Sequence, residues 1–477
     1  MKKSFFTPVR SLLVIAALLF VVFWSVWFFC YRHYLIWLEG YSFFSTLPDF
    51  ASQYFSIKEG LPGYIGAYLH QFYSMPVLGA AIQSLLTVWP VLCVGIVIIR
   101  LFRNPEGLLW VALIPAAYIA YKLFWDLHLY HTLVTAMAST ALALLVLAVT
   151  AFVRPDWKVP AWFGNRYVNL ALVVIISAVS VYFLAGKDRG NKAHEEYARL
   201  EYLGENHLWD EILSTVSPKD AKADPLKRAY ALLALSESGL LAEHAFSYGL
   251  DGQSNFVFTD RIDPMYLNYN ALFYQCNDMH NAVIHQAYQQ GVQSVTGVSF
   301  SSLRRLADTY LELKDHDLAK KYLDILNHSA CHKSWVMERL PLLEEIRNEV
   351  PAYGYDEYKA TISNFTHIIS SMVDRNRDSR KYADLLLCSL LADEEGDKFK
   401  NIFGYIAESQ YPAGTPIPRL YEEALILIGM VDPGILGQYQ LSEDTRNRFA
   451  DYVGLMNAGR GTQALRKHSD TYWAYSY

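Results

Sequence analysis

The sequence predicts an all-α protein in two unlike parts: a polytopic helical membrane domain of about five spans, then an α-helical domain of tetratricopeptide-like repeats. Three observations predict it. Up to about residue 186 the chain is dominated by apolar runs long enough to cross a bilayer. Beyond that point it becomes ordinarily charged and places apolar residues at three- and four-residue spacing, which puts them on one face of a helix. The charge balance changes at the same place. Residues 1–186 hold eleven Lys/Arg and six Asp/Glu, whereas residues 187–477 hold thirty and forty-one.

The spans are expected at Ser11–Tyr31, Pro76–Arg100, Leu108–Phe124, His131–Val153 and Tyr167–Ala185, each nearly free of charge. The first follows Lys2, Lys3 and Arg10 but ends in Trp24, Trp27, Phe28 and Phe29, with no small-residue cleavage site, so it reads as an uncleaved anchor. With a cytoplasmic N-terminus, the inner segments hold Lys2, Lys3, Arg10, Arg100, Arg103, Arg154, Lys158 and Arg166. The outer ones hold Arg32, Lys58 and Lys122. This satisfies the positive-inside rule, and five spans then put the C-terminal domain outside the cytoplasm.

Between the first two spans, residues 32–75 are rich in aromatics and poor in charge. Amphipathic stretches at Ile36–Phe44 and Tyr64–Tyr73, broken at Leu61-Pro62-Gly63, are expected to lie as helices in the outer membrane interface. Glu39, Asp49, Gln53 and Gln71 are the polar landmarks of this loop. A second outer loop carries Asp126, His128 and His131. Three-residue spacing at a span end favours aromatic-belt histidines over a metal site, which needs more converging ligands.

The domain beyond residue 187 divides into helical hairpins at 187–350 and less regular helical repeats at 351–477. Leu303, Leu306, Ala307 and Tyr310 share a face, Lys314-Asp315-His316-Asp317 makes a turn, and Ala319 allows close approach of the second helix. Ala242 and Ala282 are similar small anchors. Further helices are expected at Asp356–Met372, Arg380–Asp393, Lys398–Ser409, Pro418–Met430 and Ser442–Met456, punctuated by Pro412, Pro416, Pro418 and Pro433. The terminal Tyr472-Trp473-Ala474-Tyr475-Ser476-Tyr477 is too apolar to leave in water and is expected to dock on the last helices.

The five cysteines include no C-x-x-C pair and read as buried free thiols. The acidic balance of residues 187–477 repels phosphate backbones and argues against a nucleic-acid partner. No catalytic, metal or nucleotide motif stands out, and no cofactor is expected.

Two resemblances bear on function. An acidic residue in a first outer loop after an N-terminal span is similar to the multi-spanning glycosyltransferases that use polyprenyl-phosphate sugars. The resemblance implies that Asp49, in Pro48-Asp49-Phe50-Ala51-Ser52-Gln53-Tyr54, or secondarily Glu39, serves as base or ligand of a divalent metal. The bland alternative is an interfacial carboxylate that caps a helix. This chain has fewer spans than that family's common module and no evident basic cluster for a lipid phosphate.

The second resemblance covers nearly the whole chain. It rests on Pro62-Gly63 with Tyr68 and Gln71-Phe72-Tyr73, on Leu232–Gly239 with Leu241 and Phe246, and on Leu303–Ala307 with Ala319–Leu323. Gly414-Thr415-Pro416 with Pro418-Arg419 and Thr471-Tyr472-Trp473 complete it. These resemble a family of uncharacterised Bacteroidota integral membrane proteins with tetratricopeptide-like C-termini. The resemblance implies a Gram-negative inner membrane with the repeats in the periplasm. The expected function is a membrane-anchored interaction scaffold of the cell envelope, with the bilayer and a protein as partners and the oligomeric state open. The alternative is an envelope transferase.

Overall fold

The computed structural model describes residues 6–103, 105–125, 129–153, 155, 157–158, 166–185, 189–353, 365–412 and 415–476. Among these residues the regular structure is entirely helical, apart from one isolated bridge between Phe102 and Trp157. The chain forms two compact units. The first takes Met1–Arg199 and Gln290–Ala352, and the second takes Leu200–Gln289 and Tyr353–Tyr477. Compactness therefore divides the chain differently from the change of solvent near residue 187, because one stretch of the charged half packs with the apolar half.

Five helices of the first unit are long and apolar enough to cross a membrane: Pro8–Cys30, Pro76–Leu101, Pro105–Leu123, Tyr130–Phe152 and Tyr167–Ala185. The first span lies in α1 (Phe6–Cys30). The loop after it holds α2 (Arg32–Tyr41), α3 (Pro48–Phe55) and α4 (Gly60–His70). The remaining spans are α5 (Pro76–Leu101), a 3-10 stretch at Pro105–Leu113 running into α6 (Ile114–Trp125), α7 (Tyr130–Phe152) and α8 (Arg166–Ala185).

Lipid cannot hydrogen-bond a stray hydroxyl, and several hydroxyls of the spans are satisfied within their own helix. Ser84, Thr87, Thr140, Thr150 and Ser180 each donate to the carbonyl four residues back. Between spans, Trp89 Nε1 donates to Thr140 Oγ1 at 2.8 Å. Gly95 lets α1 and α5 approach closely, since a Cβ there would overlap the side chain of Leu12.

The break expected at Leu61-Pro62-Gly63 is instead the first turn of α4. Proline is tolerated there because the first N–H groups of a helix have no intrahelical partner. The loop's apolar residues are covered in part by protein. Helix Phe300–Glu312 packs on α2, whose Tyr34, Leu35 and Leu38 are buried. Leu47, Phe55, Leu61, Tyr68 and Met75 remain exposed.

Among the described residues, six helix-to-helix turns share one form. His207, Gly239, Asp278, Lys314, Glu394 and Gly459 all have φ between 55° and 71°. Each stands two residues beyond one helix and two residues before the next. The N–H of the following residue donates five residues back, from Leu208 to Leu203, Leu240 to Leu235, Met279 to Tyr274, Asp315 to Tyr310, Glu395 to Leu390 and Arg460 to Leu455, at 2.8–2.9 Å. This is the Schellman closure, which satisfies helix-end carbonyls through one left-handed residue. Ala242, Ala282 and Ala319 are buried on the helices that follow three of these turns.

The C-terminal helices run Phe365–Arg375, Arg380–Ala392, Gly396–Gln410, Arg419–Val431 and Glu443–Asn457, close to expectation. Residues 356–364 of the first expected helix lie outside the described residues. The aromatic terminus docks within the second unit. Trp473 is 1% exposed and packs with Tyr452 and Ala464, while the Tyr472 and Tyr475 hydroxyls donate to the carbonyls of Leu391 and Ala392. Burial of such a side chain contributes about 2–3 kcal/mol.

All five cysteines are free, but only Cys93 and Cys388 are buried. Cys30 is exposed, and Cys276 and Cys331 are half-buried. The expectation of burial fails for Cys30 because it ends α1 on an uncovered face.

Candidate functional site

In the first unit, the turn 328–332 is gripped by three residues of the loop between spans one and two. Thr46 donates its N–H and hydroxyl to the His328 carbonyl at 2.9 and 3.0 Å. Gln71 Oε1 accepts the N–H groups of Ala330 and Cys331 at 2.9 and 3.1 Å. Glu39 and His332 form a carboxylate–imidazole pair, both side chains 7% exposed, with the His332 ring stacked on Phe300 at 3.6 Å. A second such pair holds the other end of α2. Glu195 accepts from the backbone N–H groups of His33 and Tyr34, at 3.2 and 2.8 Å, and meets His33 Nδ1 at 2.7 Å. Its carboxylate thus serves as the N-cap that Tyr31 cannot supply.

The two acids singled out by sequence are therefore not brought together. Glu39 is committed to His332. Asp49 is exposed in the first turn of α3, where its charge complements the helix dipole. Among the described residues no three His, Cys, Asp or Glu side chains converge as a metal site; Asp126 and His128 lie outside those residues.

A cavity of about 300 Å³ adjoins this loop within the first unit, lined by parts of α2 and α4, by Leu129–His131 at the start of α7, and by Ser294–Val298. Neither Asp49 nor Glu39 lines it. Lys58, Glu59, His70 and His131 do. Sequence reasoning weighed His131 as a belt histidine and passed over Lys58 and Glu59. The available signal was an adjacent pair of opposite charges inside an otherwise apolar loop.

A larger cavity of about 650 Å³ lies in the second unit, among Ala242–Ser247, Pro416–Leu420, Arg380, Glu423, Asp470 and Tyr472. Its two arginines occupy equivalent places. Arg380 opens one helix and pairs with Asp384 one turn on, Nε to Oδ2 at 3.6 Å. Arg419 opens another and pairs with Glu423 one turn on, Nε to Oε1 at 3.1 Å. Both carboxylates are 2% exposed, whereas the guanidinium side chains are 52% and 40% exposed.

Burial pushes Asp384 up to about 6, against the opposing pull of the Tyr421 hydroxyl (2.7 Å) and Arg380. It pushes Glu423 up to about 7, against the Tyr472 N–H (2.7 Å) and Arg419. Desolvation outweighs pairing because each arginine keeps its own charge largely hydrated. Arg419 is further tied to Asp470, at 2.9 Å to its carbonyl and 3.0 Å to its carboxylate. The result is a cavity with two guanidiniums on its wall, each fixed by a buried acid. The sequence signal for it was R-x-x-x-D/E at the start of two helices thirty-nine residues apart.

No curated protein and no solved structure matches the chain. The model of a family of unknown function, DUF6057, matches residues 7–188 and 152–477, nearly the whole length. The chain belongs to that family.

Proposed function

We propose that the protein is a membrane-anchored interaction module of the bacterial cell envelope. In this reading the hairpins are tetratricopeptide-like repeats, the anchor sits in the inner membrane of a Bacteroidota-type cell, and the repeats face the periplasm and hold a protein partner. The observation that carries it is the cavity of the second unit, where Arg380 and Arg419 present guanidiniums to solvent from equivalent helix starts. Hairpin arrays bind extended segments in such recesses, and a fork of N–H donors suits a carboxylate on the bound chain.

The test is affinity purification of the full chain in mild detergent, beside an Arg380→Gln, Arg419→Gln double variant. Loss of a co-purifying protein from the variant, with unchanged yield and helical circular dichroism, is the expected result. Retention of the same protein would remove this cavity from the account. A C-terminal alkaline phosphatase fusion should be active if the repeats face outward.

The transferase reading draws less support, because neither Asp49 nor Glu39 lines either of these two cavities.

A further inference from the structure

The cavity of the first unit shares no lining residue with the recess proposed to hold a protein segment. Its volume, about 300 Å³, is at the small end for ligand sites and suits a compact polar group. Small residues of α4, Gly63, Gly66 and Ala67, form part of its wall, and Gly63 lets α4 pack closely, since a Cβ there would stand 2.6 Å from the Cβ of Glu59 and 3.0 Å from the Tyr54 ring.

Leu38, Phe43 and Leu129 make the lining largely apolar, but it carries one cation, Lys58, and one carboxylate, Glu59. Among the described residues neither is in an ion pair, although paired charges are common elsewhere in the chain. Tyr130 and His131, also lining residues, are the first two residues of a candidate span. The cavity thus lies at the end of a span, the level at which lipid headgroups sit. On the same loop Phe55, Leu61, Tyr68 and Met75 are exposed apolar side chains along which acyl chains can run.

We propose that this cavity binds the headgroup of an aminophospholipid, a phosphodiester carrying a primary ammonium. Lys58 and the adjacent imidazoles face the phosphate, and Glu59 faces the ammonium. A headgroup bearing only negative charge leaves Glu59 opposed by a like charge, so the adjacent opposite charges select a zwitterion.

The test uses the full chain in a neutral maltoside detergent, stripped of lipid. It is offered dioleoyl phosphatidylethanolamine, dioleoyl phosphatidylglycerol, soluble phosphoethanolamine or inorganic phosphate, and retention is read by native mass spectrometry. Phosphatidylethanolamine should be retained at about tenfold lower concentration than phosphatidylglycerol. Equal retention of the two lipids would show annular contact only and overturn the proposal. Soluble phosphoethanolamine binding as tightly as the lipid would overturn the membrane source. Glu59→Gln should abolish the preference while leaving phosphatidylglycerol retention intact. Lys58→Gln, at an exposed position that leaves the fold undisturbed, should weaken both lipids. No effect of Lys58→Gln would also overturn the assignment.

Discussion

The two units use buried carboxylates in opposite ways. In the first, Glu39 and Glu195 are matched by His332 and His33, and each pair fastens α2 to a distant part of the chain. In the second, Asp384 and Glu423 are hidden still more completely, but their partners, Arg380 and Arg419, stay half in solvent on the wall of a cavity. Both groups of the Glu39 pair are out of water, so that pair holds the fold. In the arginine pairs one end is hydrated and remains able to meet a ligand. A buried acid is therefore a poor marker of function by itself; the exposure of its partner separates a fastening from a binding wall.

The sharpest way to break this contrast is to remove one member of the fully buried pair. Glu39→Ala leaves His332 stacked on Phe300 without its Glu39 partner and should cost about 1–3 kcal/mol, read as a lowered Tm of the detergent-solubilised chain. Arg380→Gln, whose side chain is half-exposed, should move Tm far less. Equal losses would erase the distinction between the two kinds of pair.

The second unit should also show its buried acids in a pH profile. Asp384 and Glu423 sit at about 6 and about 7 in the folded state, above the roughly 4 of an unfolded carboxylate. Between those values the folded state binds more protons than the unfolded one, so stability is fully present near pH 4 and falls as pH rises through 6 and 7. Denaturant midpoints at pH 5 and pH 8 check this. Glu423→Gln should flatten the upper part of the decline, and an unchanged slope would remove Glu423 as its source.

Smaller effects probe the turns. Glu394 holds a left-handed backbone that costs a side-chain-bearing residue about 1 kcal/mol, so Glu394→Gly should raise stability by up to that amount. The smallest expected change is at Asp49. As an exposed first-turn carboxylate it contributes about 0.3–1 kcal/mol through the helix dipole. Asp49→Asn should leave protein level and cellular phenotype unchanged. Loss of a surface glycan at normal protein level would instead revive the transferase reading, where loss of a base costs roughly 10²–10⁴-fold in rate.

The spans, most of the hairpin helices and the docking of the aromatic terminus are legible in the amino-acid order alone. These follow from local rules: a run of about twenty apolar residues, a 3.6-residue period, a small residue where helices cross, an aromatic cluster that water disfavours. The spans at Pro76–Leu101 and Tyr130–Phe152 and the helix Arg380–Ala392 fall within a residue of where those rules put them. The first turn of α4 was misread because Pro62 and Gly63 break a helix interior but not its beginning.

The partners of the polar residues emerge only once the chain is folded. Glu39 meets His332 across 293 positions and Gln71 meets Ala330 across 259, and no period or spacing encodes either meeting. Likewise, Gln290–Ala352 joins the unit of the spans although its composition is that of the charged half. Periodicity is a property of neighbours along the chain, whereas the partner of a single buried charge is fixed by how faces far apart in sequence come together. The charge then has to find an opposite or a donor wherever packing has put one.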